Sequence, residues 1–283
     1  MNQPSSVLNA GVFKAATLKV GIAGVGAIGQ MMAAALDRGD VRAELVGLTD
    51  VDRARAEKVA GEMAHATPVL SLDELVRRSD LVVEAARQEA LPEIVPKVLE
   101  ARKDLMVMSV GGLLGHDEWF RLAEERGCRI HVPSGAIAGL DGLKAACRGR
   151  VDLVTLTSRK PVTALRGTKY VVERGIDLDA FKTETVIFDG PPEEACRAFP
   201  TTSNVAASLR LAVGASVNVR VRVAAVPGGS QNVHEITAQG EFGCLRMVVE
   251  NVPSESNPRT SALAAMSALA TLDGLTRSLR VGT

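Results

Sequence analysis

The stretch LKVGIAGVGAIGQMMAAAL, residues 18–36, changes from strand-like to helical composition across a glycine-rich turn. Gly24, Gly26 and Gly29 form the pattern G-x-G-x-x-G between the apolar run KVGIA and the start of the helical pattern. In that position, glycines allow a tight turn, close approach of the backbone to a ligand, and close packing of helix on strand. The stretch therefore predicts the first strand, turn and helix of an α/β domain.

Strand-like and helical patterns keep alternating up to about residue 133. In order, the segments are AELVGLTD (strand), RARAEKVAGEMA (helix), VLS (strand), LDELVRRS (helix), LVVEAA (strand), ALPEIVPKVLEAR (helix), LMVMSV (strand), HDEWFRLAEERG (helix) and RIHVPSG (strand). Such alternation predicts parallel strands joined by crossover helices. We therefore predict an N-terminal Rossmann domain with a doubly wound parallel sheet over residues 18–133, preceded by a loose tail at residues 1–17.

The pattern changes in the second half of the chain, where apolar and polar residues alternate. The alternating segments are VDLVTLTSRK, ETVIFDG, SVNVRVRVAAVP, NVHEITAQGEFG and CLRMVVENVP. They predict a second, α+β domain over residues 134–256 with a mostly antiparallel or mixed sheet. Within it, EEACRAFPTTSNVAASLRLAVGA predicts a helix broken at Pro200, and SALAAMSALATLDGLTRSL predicts a C-terminal helix.

Composition restricts the class of protein. Apolar residues make up 46% of the chain, and 33 acidic residues balance 33 basic ones, so neither a nucleic-acid partner nor a membrane surface is indicated. No apolar run reaches the roughly 18 to 20 residues that span a bilayer, and no secretion signal is recognisable, so a cytoplasmic location is expected. The four cysteines form no C-x-x-C pair, and neither a disulfide framework nor a metal site is predicted.

The glycine pattern, in its strand-to-helix context, predicts a dinucleotide site. Free amides at the helix N-terminus, at Ala27, Ile28 and Gly29, would face a pyrophosphate. The alternative is an α/β domain that has a glycine turn and binds no nucleotide.

An acidic residue at the end of the second strand indicates which dinucleotide binds. Asp50 follows Gly29 by about 20 residues, the spacing at which a carboxylate accepts hydrogen bonds from the ribose hydroxyls. NAD is therefore the predicted cofactor, because Asp50 and Asp52 would repel the 2′-phosphate of NADP. Arg53 and Arg55 nevertheless leave NADP open as a second cofactor.

Seven further sequence blocks carry a family resemblance. They are VVEAARQEA (82–90), VMSVGGL (107–113), VPSGAIAGLDGLKAA (132–146), TSRKP (157–161), FPTTSNVAASLRLA (199–212), NVHEITAQGEFG (232–243) and NPRTSALAAMSAL (257–269). With these blocks in order over about residues 18–270, the chain resembles L-aspartate dehydrogenases. The resemblance implies a C-terminal helix, within residues 257–283, that packs back on the Rossmann domain.

The resemblance also implies an activity and three site residues. It implies that the Cα hydride of L-aspartate passes to the nicotinamide, giving iminoaspartate that hydrolyses to oxaloacetate and ammonia, and that the reverse reductive amination also occurs. By the same resemblance His234 is the catalytic residue, and Ala138 and Asn204 contact the cofactor. Arg87 and Val226 depart from common family residues, so another small acid, imine or aldehyde substrate remains an alternative. A non-catalytic NAD-sensing protein is the second alternative.

The residues around His234 are compatible with that role. In a strand, Asn232 and His234 lie on the same face, so the two polar side chains project together. An imidazole with a pKa near 6.5 can exchange protons at neutral pH, and amine oxidation or imine hydrolysis requires proton transfer. Without the resemblance, a structural histidine would be the preferred interpretation.

A dicarboxylic amino acid needs cationic partners. The candidates near the family-like blocks are Arg159 and Lys160 in TSRKP, Arg87 and Arg259, and Lys160 is the first choice. Asn232 and Arg87 complete the predicted substrate contacts.

A homodimer is expected. The run VNVRVRVAAV has apolar residues on both sides of a predicted strand, so a second subunit could pack against this sheet.

Overall fold

A five-stranded parallel sheet organises the first half of the chain. The structure is a computed structural model that describes residues 17–200, 203–252 and 261–282. The strands are β1 (Leu18–Ala23), β2 (Ala43–Thr49), β3 (Leu81–Glu84), β4 (Asp104–Val107) and β5 (Ile130–His131). They lie in the order β2-β1-β3-β4-β5, and each neighbouring pair is parallel. This first sheet confirms the predicted Rossmann fold.

Helices connect these strands, as the alternating pattern predicts. They are α1 (Ala27–Asp37), α2 (Arg53–Gly61), α3 (Leu72–Arg78), α4 (Leu91–Glu100) and α5 (Asp117–Arg126). The predicted VLS strand is reduced to a single parallel bridge between Leu48 and Val69. It cannot extend, because Ser71 already forms the capping box of α3 with Glu74.

A second sheet follows, formed by β6 (Val151–Pro161), β7 (Thr185–Gly190), β8 (Val219–Val226), β9 (Asn232–Gly240) and β10 (Gly243–Asn251). Its order is β10-β9-β6-β8-β7, with β6 and β8 parallel and the other three pairs antiparallel. The sheet is therefore mixed and mostly antiparallel, as predicted.

Helices accompany the second sheet on its inner face. They are α6 (Leu140–Ala146), α7 (Val162–Leu165), α8 (Lys169–Glu173), α9 (Pro192–Ala198) and α10 (Asn204–Val213). The predicted long helix is divided into α9 and α10, and the short helices α7 and α8 were not predicted. Leu156, Val221 and Ile236 project from the inner face into one buried cluster with Leu209 of α10. The other face of this sheet carries half-buried and exposed side chains.

The C-terminal helix α11 (Ala262–Thr276) packs against α1 of the Rossmann domain. Ala268 and Leu272 are buried there in a cluster with Val20 and Met32. The return of this helix to the first sheet is thus confirmed. No helix among the described residues is long and apolar enough to span a membrane.

Candidate active site

A cleft lies where the carboxyl ends of the first sheet meet the inner face of the second. Its volume is about 140 Å³, and Ile28 from α1 and Met108, just after β4, line one side. Lys160, Asn232 and His234 from the second sheet line the other. Ligands of open α/β sheets bind outside the carboxyl ends of the strands, so the cleft has the position expected of an active site.

The glycine turn after β1 is packed too closely for a side chain at two of its three glycines and is open at the third. A Cβ on Gly24, whose φ is 99°, would lie 2.6 Å from the backbone of Ala85, and one on Gly29 would lie 2.0 Å from the Gly24 carbonyl oxygen. At Gly26 the nearest such atom is 4.0 Å away, so the backbone there is open. Helix α1 then begins at Ala27 with neither a side-chain cap nor an acidic residue in its first turn. Uncapped amides beside an open glycine fit a pyrophosphate.

Asp50 lies beside this turn, directly after β2. Its carboxylate accepts hydrogen bonds from the amides of Val25 (2.8 Å) and Asp52 (2.9 Å) and from the Arg55 guanidinium (2.6 Å). Burial acts to raise the pKa of Asp50, but these three donors together hold it below its usual value. Asp50 is therefore a fixed anion at the glycine turn. Its contact with ribose stays a prediction.

Four polar side chains meet on the inner face of the second sheet, at one end of strands β6 and β9. Ser158 on β6 is the register partner of His234 on β9. Lys160 lies two residues beyond Ser158, and Asn232 lies two residues before His234, so period-two alternation places all four on one face. We call Ser158, Lys160, Asn232 and His234 the polar quartet. The expected common direction of Asn232 and His234 is observed, since both line the cleft.

Burial determines the charge of the quartet. Only 4% of Lys160 and 5% of His234 is exposed, and Lys160 has no ion-pair partner among the described residues. Desolvation lowers the pKa of Lys160 to about 8, and desolvation together with the Lys160 charge lowers that of His234 to about 3. Near neutral pH the cleft therefore holds a neutral imidazole and a lysine with no counter-ion.

Two hydrogen-bonding atoms of the quartet have different environments. His234 Nδ1 lies 2.9 Å from Ser158 Oγ. Asn232 Oδ1 is enclosed, yet it has no hydrogen-bond partner in the described part of the chain. Because buried polar atoms almost always find a partner, this oxygen is a candidate acceptor for a ligand.

Asn204, a predicted cofactor contact, lies in the cleft but also joins its two sides. Its Oδ1 accepts from Gly111 N (3.1 Å), and its Nδ2 donates to Met108 O (3.2 Å). Gln88 Nε2 adds a bond to Pro200 O (2.7 Å). The loop after β4 is thereby fixed to α10.

The buried carboxylate of Glu84, at the end of β3, was not singled out from the sequence. It accepts hydrogen bonds from the amides of Ala86, Met108 and Ser109 and from the Ser109 hydroxyl. Burial raises its pKa despite these bonds. Glu84 therefore fixes the loops after β3 and β4 relative to each other, and sequence alone gives no sign of this because the partners are mostly backbone amides.

Other predicted residues lie away from the cleft. Arg87 is exposed at the start of a short 3₁₀ turn, and Ala138 is exposed in the loop before α6; neither lines the cleft. Arg159 points to the opposite face of the sheet, where it pairs with Glu184 and Glu235. Arg259 lies outside the described residues.

Comparisons with known proteins agree with this architecture. Residues 24–133 match the family model "Homoserine dehydrogenase, NAD binding domain", and residues 141–275 match "Aspartate dehydrogenase, C-terminal". The L-aspartate dehydrogenase of Methanosarcina barkeri is 43% identical over 270 residues, which cover 94% of this chain and all of that protein. The L-aspartate dehydrogenase of Methanocella arvoryzae is 46% identical over 268 residues, covering 94% of this chain and 99% of the relative.

Solved structures extend the comparison. The crystal structure of aspartate dehydrogenase from Thermotoga maritima superimposes with a TM-score of 0.71 at 25% identity, covering 94% of this chain and 99% of that one. A myo-inositol dehydrogenase from Lactobacillus casei, at 16% identity and a TM-score of 0.56, covers 94% of this chain and 88% of its own, and it shares the fold alone. With relatives at 43% and 46% identity over 94% of its length, the chain belongs to the L-aspartate dehydrogenase family.

Proposed function

We propose that this protein catalyses the NAD-dependent oxidative deamination of L-aspartate and the reverse reductive amination of oxaloacetate with ammonia. The observation that carries the proposal is the buried Lys160 beside His234 in the cleft, with no anion paired to it among the described residues. A buried charge without a partner is costly, and a substrate carboxylate would supply the missing counter-charge. The family assignment favours L-aspartate over the alternative substrates and over a sensor without activity.

Three residues of the quartet would bind and orient the substrate. Lys160 would bind a carboxylate, and the enzyme would thereby select an acidic substrate. Asn232 Oδ1, which has no hydrogen-bond partner among the described residues, would accept a hydrogen bond from the substrate amine. His234 would contact the reacting group as the catalytic residue, because it lines the cleft together with Lys160 and Asn232.

The residues of the first sheet fit NAD. The turn at Gly24, Gly26 and Gly29 with the α1 amides would hold the pyrophosphate, and Asp50 would hold the ribose. When bound, the nicotinamide supplies the acceptor for the hydride from Cα. Arg55, paired with Asp50, keeps NADP as a second cofactor.

The two domains would accordingly have separate binding roles. Residues 18–133 with 257–283 would bind the cofactor, and residues 134–256 would bind the substrate. The division is supported by the cleft, whose lining comes from both sheets.

Formation of NADH tests the function directly. NAD is mixed with each of a panel of amino acids, including D-aspartate and L-glutamate, and with the hydroxy acid L-malate as a close analogue of L-aspartate, and the absorbance of NADH is followed. Reduction that depends on L-aspartate, and its reversal with oxaloacetate and ammonia, is the expected result. Tight NAD binding with no turnover of any compound would instead indicate a sensor.

We also propose a homodimer formed through the outer face of the second sheet. Thr155, Thr157 and Val233 on this face are half-buried without a covering helix, and Val248 is 50% exposed. A second copy would cover this face, a common arrangement for sheet surfaces. Sedimentation should give a dimer at micromolar concentration, and Val248→Lys should weaken it; a monomeric parent protein would contradict the proposal.

A cytoplasmic location is the final part of the proposal. All four cysteines are free, which fits a reducing compartment. Cell fractionation with activity measurement tests it.

A further inference from the structure

The pairing of Ser158 with His234 is more specific than a general polar contact. The two residues are opposite one another in the β6–β9 ladder, and Ser158 Oγ lies 2.9 Å from His234 Nδ1. Both side chains are buried. In the described part of the chain, the Ser158 hydroxyl has no other hydrogen-bond partner.

This isolation determines which atom is the donor. A buried hydroxyl hydrogen needs an acceptor, and Nδ1 of His234 is the acceptor within reach. If Nδ1 carried the imidazole proton, the Ser158 hydroxyl hydrogen would have no acceptor among the described residues. The favourable arrangement therefore has Ser158 donating to a bare Nδ1, with the imidazole proton on Nε2.

The second ring nitrogen, Nε2, is left for a ligand. It has no hydrogen-bond partner among the described residues, and it is not one of the fully enclosed unpartnered atoms there, which are His131 Nε2 on the first sheet and Asn232 Oδ1. Since His234 lines the cleft and Nδ1 is turned to Ser158, Nε2–H is the group that a substrate meets.

The surroundings of His234 oppose its protonation. From β6 it faces the Lys160 ammonium, whereas Asn232 on its own strand, Asn204 and Ser208 on α10, and Ser261 before α11 bring no charge to the cleft. Burial and the Lys160 charge both favour the neutral ring, and its pKa falls to about 3.

We propose that Ser158 is a positioning residue that holds His234 as a neutral imidazole with its proton on Nε2, so that His234 donates a hydrogen bond to the substrate instead of exchanging a proton with it. The inference rests on the proposed function for the identity of the substrate. In the reverse reaction, negative charge develops on the carbonyl oxygen of oxaloacetate as ammonia adds, and a fixed hydrogen-bond donor would stabilise that oxygen. A neutral histidine can serve as such a donor.

The chemistry balances without a histidine base. L-Aspartate would react as the free amine, and loss of a hydride from its Cα gives the protonated imine directly while NAD becomes NADH. No proton leaves the nitrogen in that step. The ammonium proton of the substrate is lost to solvent before the hydride transfer.

Imidazole ¹⁵N NMR tests the inference without substrate or cofactor. The protein is labelled at histidine, and the His234 signals are assigned by their loss in His234→Gln. We expect a neutral ring with the proton on Nε2 from pH 6 to 9, preserved in Ser158→Thr, which keeps the hydroxyl, and replaced by a tautomer mixture in Ser158→Ala. A protonated ring in that range, or a proton on Nδ1 in the parent protein, would overturn it.

Kinetics provide the second test, because glutamine carries an N–H group near the position of Nε2 but cannot titrate. We expect His234→Gln to keep kcat for L-aspartate within about tenfold of the parent, with the same pH profile, while His234→Ala loses about 10² to 10³. Melting temperature and NAD affinity check that both variants are folded. Equal losses in the two variants, or a limb of the pH profile that the parent shows and His234→Gln lacks, would refute the donor role. A parent protein that does not oxidise L-aspartate would instead refute the proposed function, and the NMR result would still decide this inference.

Discussion

The first sheet presents backbone groups to the cleft, whereas the second sheet presents side chains. At the turn of Gly24, Gly26 and Gly29 the important property is the absence of Cβ atoms. It allows close backbone packing at Gly24 and Gly29 and leaves the backbone open at Gly26, beside the uncapped start of α1. On β6 and β9 the important property is the register, which brings Ser158 opposite His234. A backbone site depends on a few glycines within one turn, but a side-chain site depends on residues that are far apart in sequence. Substitutions at the glycine turn and substitutions on β6 and β9 should therefore have different effects on binding and activity.

Lys160→Met should produce the largest loss of activity, and it should affect the reaction of L-aspartate without affecting NAD binding. Removing one partner of a buried charged contact costs about 3 to 4 kcal/mol, so kcat/KM for L-aspartate should fall by about 10² to 10³. NAD affinity should not change, because the glycine turn lies on the other sheet. Steady-state kinetics and NAD titration measure both effects, with exposed Lys169→Met on α8 as the control. An equal loss of NAD affinity would show that the two sites are not separable.

The same variant should reveal the burial of Lys160 in the absence of substrate. The folded-state pKa of about 8 lies below the ordinary lysine value, so below pH 8 the fold carries a buried charge that destabilises it. Between about pH 8 and 10.5 the folded protein loses this proton while the unfolded chain keeps it, and the fold gains stability. Chemical denaturation should show the parent gaining about 3 kcal/mol relative to Lys160→Met over that range. A constant difference would indicate that Lys160 is solvated or paired.

Gly29→Ala should damage the cofactor side and leave the polar quartet intact. The new Cβ would lie 2.0 Å from the Gly24 carbonyl oxygen, so the start of α1 must shift. Overpacking of this kind costs about 1 to 3 kcal/mol, and NAD affinity should fall by roughly 5-fold to 150-fold. Gly274→Ala is the matched control, because a Cβ there meets nothing within 4 Å and alanine favours the interior of α11. Calorimetric titration with NAD would contradict the comparison if both variants bound equally well.

The same contrast explains what the sequence could reveal. The glycine turn, the alternation of strand and helix, and the position of Asp50 are local patterns, so the Rossmann half could be predicted from them. Strand periodicity also placed Asn232 and His234 on one face. The partnership of Ser158 with His234 depends on the β6–β9 register, which local patterns do not determine.

Other features of the site could not be predicted from the sequence, because they also depend on how distant segments meet. The hydrogen bonds of Glu84 depend on how two loops meet in space. Ala138 was predicted from the resemblance and Arg87 as a cation near a family-like block. Neither side chain lines the cleft, and their roles stay predictions.

Asp50→Ala should produce the smallest change, and it should alter cofactor preference more than catalysis. The variant would lose the predicted ribose contact, and NAD affinity should fall by about tenfold. This loss is at the lower end for a charged hydrogen bond, because the Asp50 carboxylate also accepts hydrogen bonds from Val25, Asp52 and Arg55. Arg55 would lose its partner and become free to approach a 2′-phosphate, so the gap between NAD and NADP should narrow. Asp52→Ala is the comparison variant. It removes the N-cap of α2, which costs about 1 kcal/mol of stability, and it should change the cofactor ratio less than Asp50→Ala does, because Asp52 has no predicted ribose contact. Titration of both variants with NAD and NADP gives the ratio. If Asp52→Ala changed that ratio and Asp50→Ala did not, the ribose contact would belong to Asp52, and the backbone half of the cleft would rely on a different side chain than the spacing predicts.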